Sequence, residues 1–298
     1  MLASIAPDIH PLTNAPLLPH LVKLLKCSSC GNRHFEIHRD ESTSLETQTH
    51  CVVVCETCKT CFKYEYGILE MLVDKPTGLT LAQKSNFINI VARWYQTAWR
   101  SWCMTVFCAK KCTNTIEAEK IIQWIHFEEL PENPVFVDVG TSHGFYAIEI
   151  AKRLKESNST GYIVAIDFSR KMLYEATRAA HKNLVSERII WVLADVEECP
   201  ILSDTVNIVT CGGSLNEYRN PQKAIQEAVR ILKTNGSYVT MNLFVKNLFT
   251  GLFLSIIHLI SGLSFYSNEL WNNLFSRFGF RITQQEKSGI VMFTVSKK

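Results

Sequence analysis

Apolar residues in the middle of this chain come in short runs, each closed by an acidic residue or a cluster of small ones. Val135 to Val139 reads VFVDV and leads into Gly140, Ser142 and Gly144. Further on, Tyr162 to Ile166 ends in Asp167, and Ile189 to Ala194 ends in Asp195. Runs this short, rich in β-branched and aromatic residues, predict parallel strands buried on both faces. Val206 to Thr210 predicts a fourth. Asn220-Pro221 predicts a helix start, a capping side chain followed by proline in the first turn. Ala224, Ile225, Ala228, Val229 and Leu232 then share one face, and Asn235-Gly236 stops the helix. Ser237 to Asn242, Arg281 to Glu286 and Ile290 to Val295 complete an α/β fold with a Rossmann-like, seven-stranded sheet.

One segment breaks the alternation. Leu248 to Leu263 reads LFTGLFLSIIHLISGL, nearly all apolar. It is shorter than the roughly 20 residues needed to span a bilayer, and polar residues interrupt it. Gly251, Ser255, His258 and Gly262 recur at helical spacing as a narrow stripe. The pattern predicts a helical lid, within an insertion at about 246–268, whose bulk shapes a hydrophobic substrate site. Plain core packing is the alternative. A membrane-surface contact is disfavoured, because no face rich in Lys and Arg accompanies the apolar one.

The acids and glycines carry the candidate chemistry. Strand, small-residue turn, helix, strand, acid is the layout of a nucleotide-type site at the carboxyl edge of a parallel sheet. Gly140 and Gly144 allow the backbone to pass close to a ligand. Asp167 is placed to accept hydrogen bonds from both hydroxyls of a ribose, and Asp195 to receive an adenine amino group. The Gly-x-Gly-x-x-Gly turn of a pyrophosphate site is missing. The spacing is Gly-x-x-x-Gly with Ser142 between, and no basic residue sits in the loop. These features fit a ligand with ribose and adenine but no phosphate.

The run DVGTSHG, then AIDFS, then LADV resembles motifs I, II and III of class I S-adenosylmethionine-dependent methyltransferases, within them the UbiE-like, small-molecule group. The resemblance runs from about Asn86 to the C-terminus, through IVTCGGSLNEYRNP, AIQEAVRILKTNGSYVTMNLF and YSNELWNNLFSRFGF. It implies that S-adenosylmethionine is held by Tyr95, Asp138, Gly140, Ser142, Gly144, Asp167, Phe168, Met172, Asp195, Val196 and Cys211. Three positions depart from the family pattern: Ser142 stands for a glycine, Asn207 for an aspartate, and Asn216-Glu217 where relatives often carry a histidine.

Composition narrows the class further. The chain has 298 residues, 47% of them hydrophobic, enough for one large domain and a small one. A net charge of +3 with no basic block disfavours nucleic acid as the main partner. The first residues lack a charged region followed by an apolar one, which excludes a secretory signal. The reading is a cytoplasmic chain. Pro7, Pro11, Pro16 and Pro19 predict an irregular arm over residues 1–20.

Eleven cysteines are unevenly spread, with six between Cys27 and Cys61. Cys27-x2-Cys30 and Cys55-x2-Cys58 read as a four-thiolate structural zinc ribbon over residues 21–75, with Cys61 an alternative to Cys55. So small a unit needs a metal to fold. The ribbon resembles the small zinc-ribbon activator of tRNA methyltransferases. Phe62 and Gly67 match an aromatic and a glycine of that pattern, which favours Cys55 and Cys58. UbiE-like methyltransferases of cyanobacteria and plastids carry such a ribbon, and Ala92, Tyr95, Trp99 and Arg100 match their segment before the catalytic core. Residues 76–130 are then a helical linker or cap, and 131–298 the methyltransferase domain. Cys103, Cys108 and Cys112 read as ordinary thiols of a helix.

Methyl transfer from a sulfonium needs a general base only where the acceptor must lose a proton. Asn216, Glu217, Tyr95 and His258 are the candidates. His143 reads as structural, and Cys211 as a small apolar neighbour. The expectation is methylation of a hydrophobic small molecule, an indole or terpenoid alkaloid first. A quinone or prenyl-lipid C-methyltransferase is one alternative. An rRNA methyltransferase reading RNA through its ribbon is another, and a non-catalytic partner subunit a third. The residues do not fix the oligomeric state.

Overall fold

The computed structural model describes residues 15–39, 51–73, 79–80, 83–84 and 100–298. Tyr95, Ala92, Trp99 and the first fourteen residues of the expected arm lie outside them. Five parallel strands form the centre of the sheet: β5 (Val135–Val139), β6 (Tyr162–Asp167), β7 (Ile189–Leu193), β8 (Val206–Gly212) and β9 (Leu232–Val245). Every residue of β5 and β7 is buried, as strands covered on both faces require. The closing pair, β11 (Arg281–Ser288) and β12 (Val291–Lys297), is antiparallel. The order β7-β6-β5-β8-β9-β12-β11 reverses direction between β5 and β8. A crevice opens at such a reversal, outside the carboxyl ends of the strands.

The sheet does not stop at β7. Strands β1 (Phe35–Arg39), β2 (Cys51–Cys55), β3 (Cys61–Glu65) and β4 (Ile68–Glu70) form an antiparallel ribbon. Its last strand pairs in parallel with β7, Ile68 opposite Trp191 and Glu70 opposite Leu193. With the two-residue β10 (Tyr266–Ser267) the described residues form one sheet of 12 strands. Sequence patterning foresaw the seven-stranded part but not this continuity, because a three-residue strand carries too little periodicity to assign a neighbour. Glu70 also pairs with Arg170, and the Met71 N–H donates to the Leu193 carbonyl at 2.9 Å. The expected irregular arm is helical from Ala15: a single 3-10 turn leads into α1 (Leu18–Val22), with Pro19 in the first turn, where a missing N–H costs nothing.

The remaining helices among the described residues are α2 (Arg100–Cys108), α3 (Asn114–Trp124), α4 (Phe145–Glu156), α5 (Arg170–Lys182), α6 (Pro221–Ile231), α7 (Leu248–Ser261) and α8 (Asn268–Arg277). The Asn220 side chain caps α6 by accepting from the Lys223 N–H at 3.1 Å. Asn207 accepts from the Val135 N–H at 3.0 Å, so the residue standing for the family's aspartate ties β8 to β5.

Helix α7 exists where the apolar run predicts it, closed by an Asn247–Thr250 capping box and by Gly262 at φ 75°. Its exposure contradicts plain core packing. Leu254 alone is buried, whereas Leu248, Phe249 and Leu259 are more than four-fifths exposed. The side turned to the fold is narrow: Leu254 is buried and Gly251 and Ile257 partly so, whereas Ser255 and His258 of the small stripe are exposed. A Cβ on Gly251 would meet Val245 at 3.2 Å, and one on Gly262 would meet Thr80 at 2.9 Å. Gly251, Leu254 and Gly262 make the close contacts with the body, and most of the bulk turns outward.

Candidate active site

The loop after β5 bends over the sheet edge. Gly140, Ser142 and Gly144 all take positive φ, at 62°, 51° and 74°. For Ser142 that left-handed conformation is strained. The glycines are also needed by the fold itself. A Cβ on Gly140 would lie 2.5 Å from Ser214, and one on Gly144 would lie 2.6 Å from the Trp191 ring. Both positions make room for protein: a turn after β8 in one case, helix-to-strand packing in the other.

Two buried carboxylates hold the loop. Asp138 accepts from the Thr141 and Thr210 hydroxyls at 2.5 and 2.7 Å. Asp167 accepts from the Ser142 N–H and the Ser169 N–H, both at 2.8 Å. Burial pushes each carboxyl up to about 6. Each Asp167 oxygen is already engaged once, and a carboxylate oxygen can accept more than one bond. Room for ribose hydroxyls therefore remains.

A cavity of about 350 Å³ opens against this edge, lined among others by Asp138, Gly140, Ser142, His143, Tyr146, Asp167, Phe168, Gly212, Ser214, Glu217 and Tyr218. A smaller recess continues it past Gly140, Asp167 and Phe168 to Asp195, Val196, Glu197 and Arg219. The structure thus brings together Asp138, Gly140, Ser142, Asp167, Phe168, Asp195 and Val196. Gly144, Met172 and Cys211 support the site without lining it. The Met172 sulfur receives the Ser142 hydroxyl at 3.7 Å. Cys211 is fully buried, and burial pushes its thiol up to about 12, far from a nucleophile.

The proton-transfer candidates separate clearly. Asn216 is a structural pin: its amide donates to the carbonyls of Leu243 and Ser264 at 3.0 and 2.7 Å and accepts from the Leu243 N–H at 2.9 Å. His258 is exposed on α7 and bonds the Leu263 carbonyl through Nδ1 at 2.6 Å, so it does not reach the cavity. Glu217 lines it. His143, read as structural, also lines the cavity, with its ring Nδ1 3.1 Å from the Ser142 hydroxyl.

Sequence reasoning missed several groups. Arg219 forms an ion pair with Asp195 at the recess, where an adenine amino group was expected. Tyr218 packs over Gly140 and lines both parts of the cleft. Ser214 donates to the Gly140 carbonyl at 2.9 Å. Tyr146, on α4, donates to the buried Glu117 of α3 at 2.5 Å. All but the last fall within or beside SLNEYRN, where an aromatic and a basic residue next to a strand end were the available signal.

The four thiols of the ribbon lie within 4.8 Å of one another. The two knuckles repeat one geometry. Gly31 N–H donates to Cys27 O at 2.8 Å and Lys59 N–H to Cys55 O at 2.9 Å, with Gly31 and Lys59 both left-handed. The Sγ atoms of Cys27 and Cys58 are 3.6 Å apart, as are those of Cys30 and Cys55. A tetrahedral zinc with bonds near 2.3 Å sets its sulfurs about 3.8 Å apart, so this donor set fits the ion. Cys61 stands outside the cluster, turned to the Lys59 carbonyl. Cys108 and Cys112 are buried and lie outside any metal cluster among the described residues.

Fold, crevice and acid spacing are similar to those of class I S-adenosylmethionine-dependent methyltransferases of the UbiE-like type. Residues 131–273 match the family model described as a methyltransferase domain. The chain is 25% identical over 109 residues to the ubiquinone/menaquinone biosynthesis C-methyltransferase UbiE of Rickettsia peacockii, covering 37% of this chain and 44% of that one. It is 30% identical over 97 residues to the 2-phytyl-1,4-naphtoquinone methyltransferase of Nostoc punctiforme, covering 33% and 41%. The chain therefore spans less than half the length of these curated relatives. Among solved structures, the [4+2]-cyclase SpnF superposes with a TM-score of 0.55 at 14% identity, over 75% of this chain and 97% of that one. A likeness at that identity speaks for the fold alone.

Proposed function

We propose that this chain transfers the methyl group of S-adenosylmethionine to a lipophilic small molecule, of the quinone or prenyl-lipid kind rather than an alkaloid. The observation that carries the reading is the crevice at the β5–β8 reversal, where Asp167 and the Gly140–Ser142 loop close on one cavity. The quinone methyltransferases among the similar proteins favour that acceptor class over the alkaloid expectation. A cytoplasmic setting belongs to the same reading.

Asp167 would take the ribose hydroxyls, Gly140 and Ser142 the amino-acid end, and Asp195, Val196 and Phe168 the adenine. Bound S-adenosylmethionine supplies an already activated methyl. The chain's own task is to hold an acceptor in line and keep water out. Tyr218 and Phe168 flank the cleft and serve the second need. An acceptor carbon must shed a proton after methylation, and Glu217 is the carboxylate of the cavity on the β8 side that can accept it. Cys27, Cys30, Cys55 and Cys58 would hold a structural zinc.

The test is purified protein with methyl-labelled S-adenosylmethionine, offered a lipid-soluble extract and total RNA of the source cells in parallel. Label is expected in one organic-soluble product, identified by mass. Glu217→Gln should lower kcat and leave the KM for the donor unchanged. Label in RNA would overturn the reading.

A further inference from the structure

Helix α7 carries a surface that the methyl-transfer reading does not use. Its exposed bulky residues are Leu248, Phe249, Leu252, Phe253, Ile256, Leu259 and Ile260. At 3.6 residues per turn these seven share one arc of about 140°. No charged residue occurs in the helix. Apolar surface gathered in this way marks an interaction site, since scattered apolar residues would not align on one face.

The polar side chains of the helix say what kind of site. Thr250 donates to the Asn247 carbonyl at 2.9 Å, Ser255 to Gly251 at 2.8 Å and Ser261 to Ile257 at 2.7 Å. His258 bonds the Leu263 carbonyl at 2.6 Å. Each turns back on its own segment, and both helix ends are capped from within. Such self-sufficiency suits hydrocarbon, where no outside partner satisfies a polar group. A protein partner would meet an arc with no donor or acceptor, whereas protein interfaces carry regular hydrogen bonds. The area argues the same way. A helix of 14 residues is about 21 Å long and about 10 Å wide, well short of the roughly 800 Å² that each partner of a standard interface buries.

We propose that α7 docks this protein on a lipid surface, lying in the plane of the membrane with the Leu248–Ile260 arc in the acyl boundary. No helix among the described residues is long and apolar enough to cross a membrane. The docking leads to the cleft. Gly262, at the end of α7, packs on Thr80; Thr80 exchanges hydrogen bonds with Gln83 at 3.0 and 3.1 Å; and Gln83 lines the cavity. A lipophilic acceptor would then reach the site from the bilayer beside it. The docking itself does not depend on that reaction, because its readout needs no methyl transfer.

The experiment is flotation of the full-length protein with neutral phosphatidylcholine vesicles, at low and high salt. The wild type should float at both, since insertion is apolar. A double variant, Phe249→Asp with Leu259→Asp, should lose vesicle binding by at least about tenfold, with its melting temperature and solution size unchanged. Wild-type protein left in the aqueous fractions overturns the proposal. So does a variant that floats as well as the wild type. A lower melting temperature in the variant would mean that another part of the chain covers the arc. A wild-type dimer that the variant dissociates would assign the arc to a second copy. Either result contradicts lipid docking.

Discussion

The loop at Asp138–Gly144 and helix α7 are built in opposite ways. In the loop, two buried carboxylates take four hydrogen bonds from neighbouring groups. Three alternate small positions, Gly140, Ser142 and Gly144, take positive φ. In α7, hydrogen bonds run only within the segment, and the apolar side is left to the outside. Buried polar groups demand partners and so fix one arrangement. An exposed apolar face demands only removal from water, and many surfaces can provide that.

The largest effect that would sharpen this contrast lies in a third region. Because β4 pairs with β7, the ribbon is bonded to the strand beneath Asp167 and is no appendage. Cys55→Ser, or strong chelation, should lower the melting temperature by more than about 10 °C and weaken donor binding with it. Unchanged melting would show that the ribbon needs no metal.

Next comes the loop. Asp167→Ala removes the acceptor proposed for the ribose and unpairs two backbone N–H groups. Donor affinity should fall by about a hundredfold in a calorimetric titration. A change below about threefold would dissociate Asp167 from the cofactor.

Asn216→Ala should cost about 2–3 kcal/mol in denaturant melts, for three lost hydrogen bonds, and leave the pH profile of turnover unmoved. A larger loss of turnover than of stability would return Asn216 to the chemistry.

The two aspartates also predict a pH dependence. Their carboxyls titrate near 6 when folded, against about 4 when unfolded. Between those values the folded chain binds more protons, so stability falls as pH rises through the window and grows as pH drops from 7 towards 5. The gain should be roughly 2 kcal/mol without ligand, and Asp138→Asn should remove about half of it. The smallest effect is Ser142→Gly, which relieves a left-handed serine and should stabilise by at most about 1 kcal/mol.

What could be read from the sequence follows the same division. Strands such as β5 and β7 announce themselves because full burial leaves a continuous apolar run. The acids at their ends mark the crevice, and the C-x2-C pairs mark the knuckles, because ligand chemistry restricts residue type at fixed spacing. The remainder was hidden for physical reasons. Whether Asn216 faces the cavity or pins Leu243 depends on packing after a single turn. The glycines at 140 and 144 predict close approach but not what approaches. Arg219 meets Asp195 only after the chain has folded. In α7 the periodicity announces a helix, but not that Leu254 alone of its residues would be buried.

One titration bears most directly on the central claim that the β5–β8 crevice is an S-adenosylmethionine site. S-adenosylhomocysteine and NAD would each be titrated calorimetrically into the wild-type chain. The account predicts saturable binding of S-adenosylhomocysteine at one site per chain and no heat from NAD. Binding of NAD, or silence with S-adenosylhomocysteine, would contradict it.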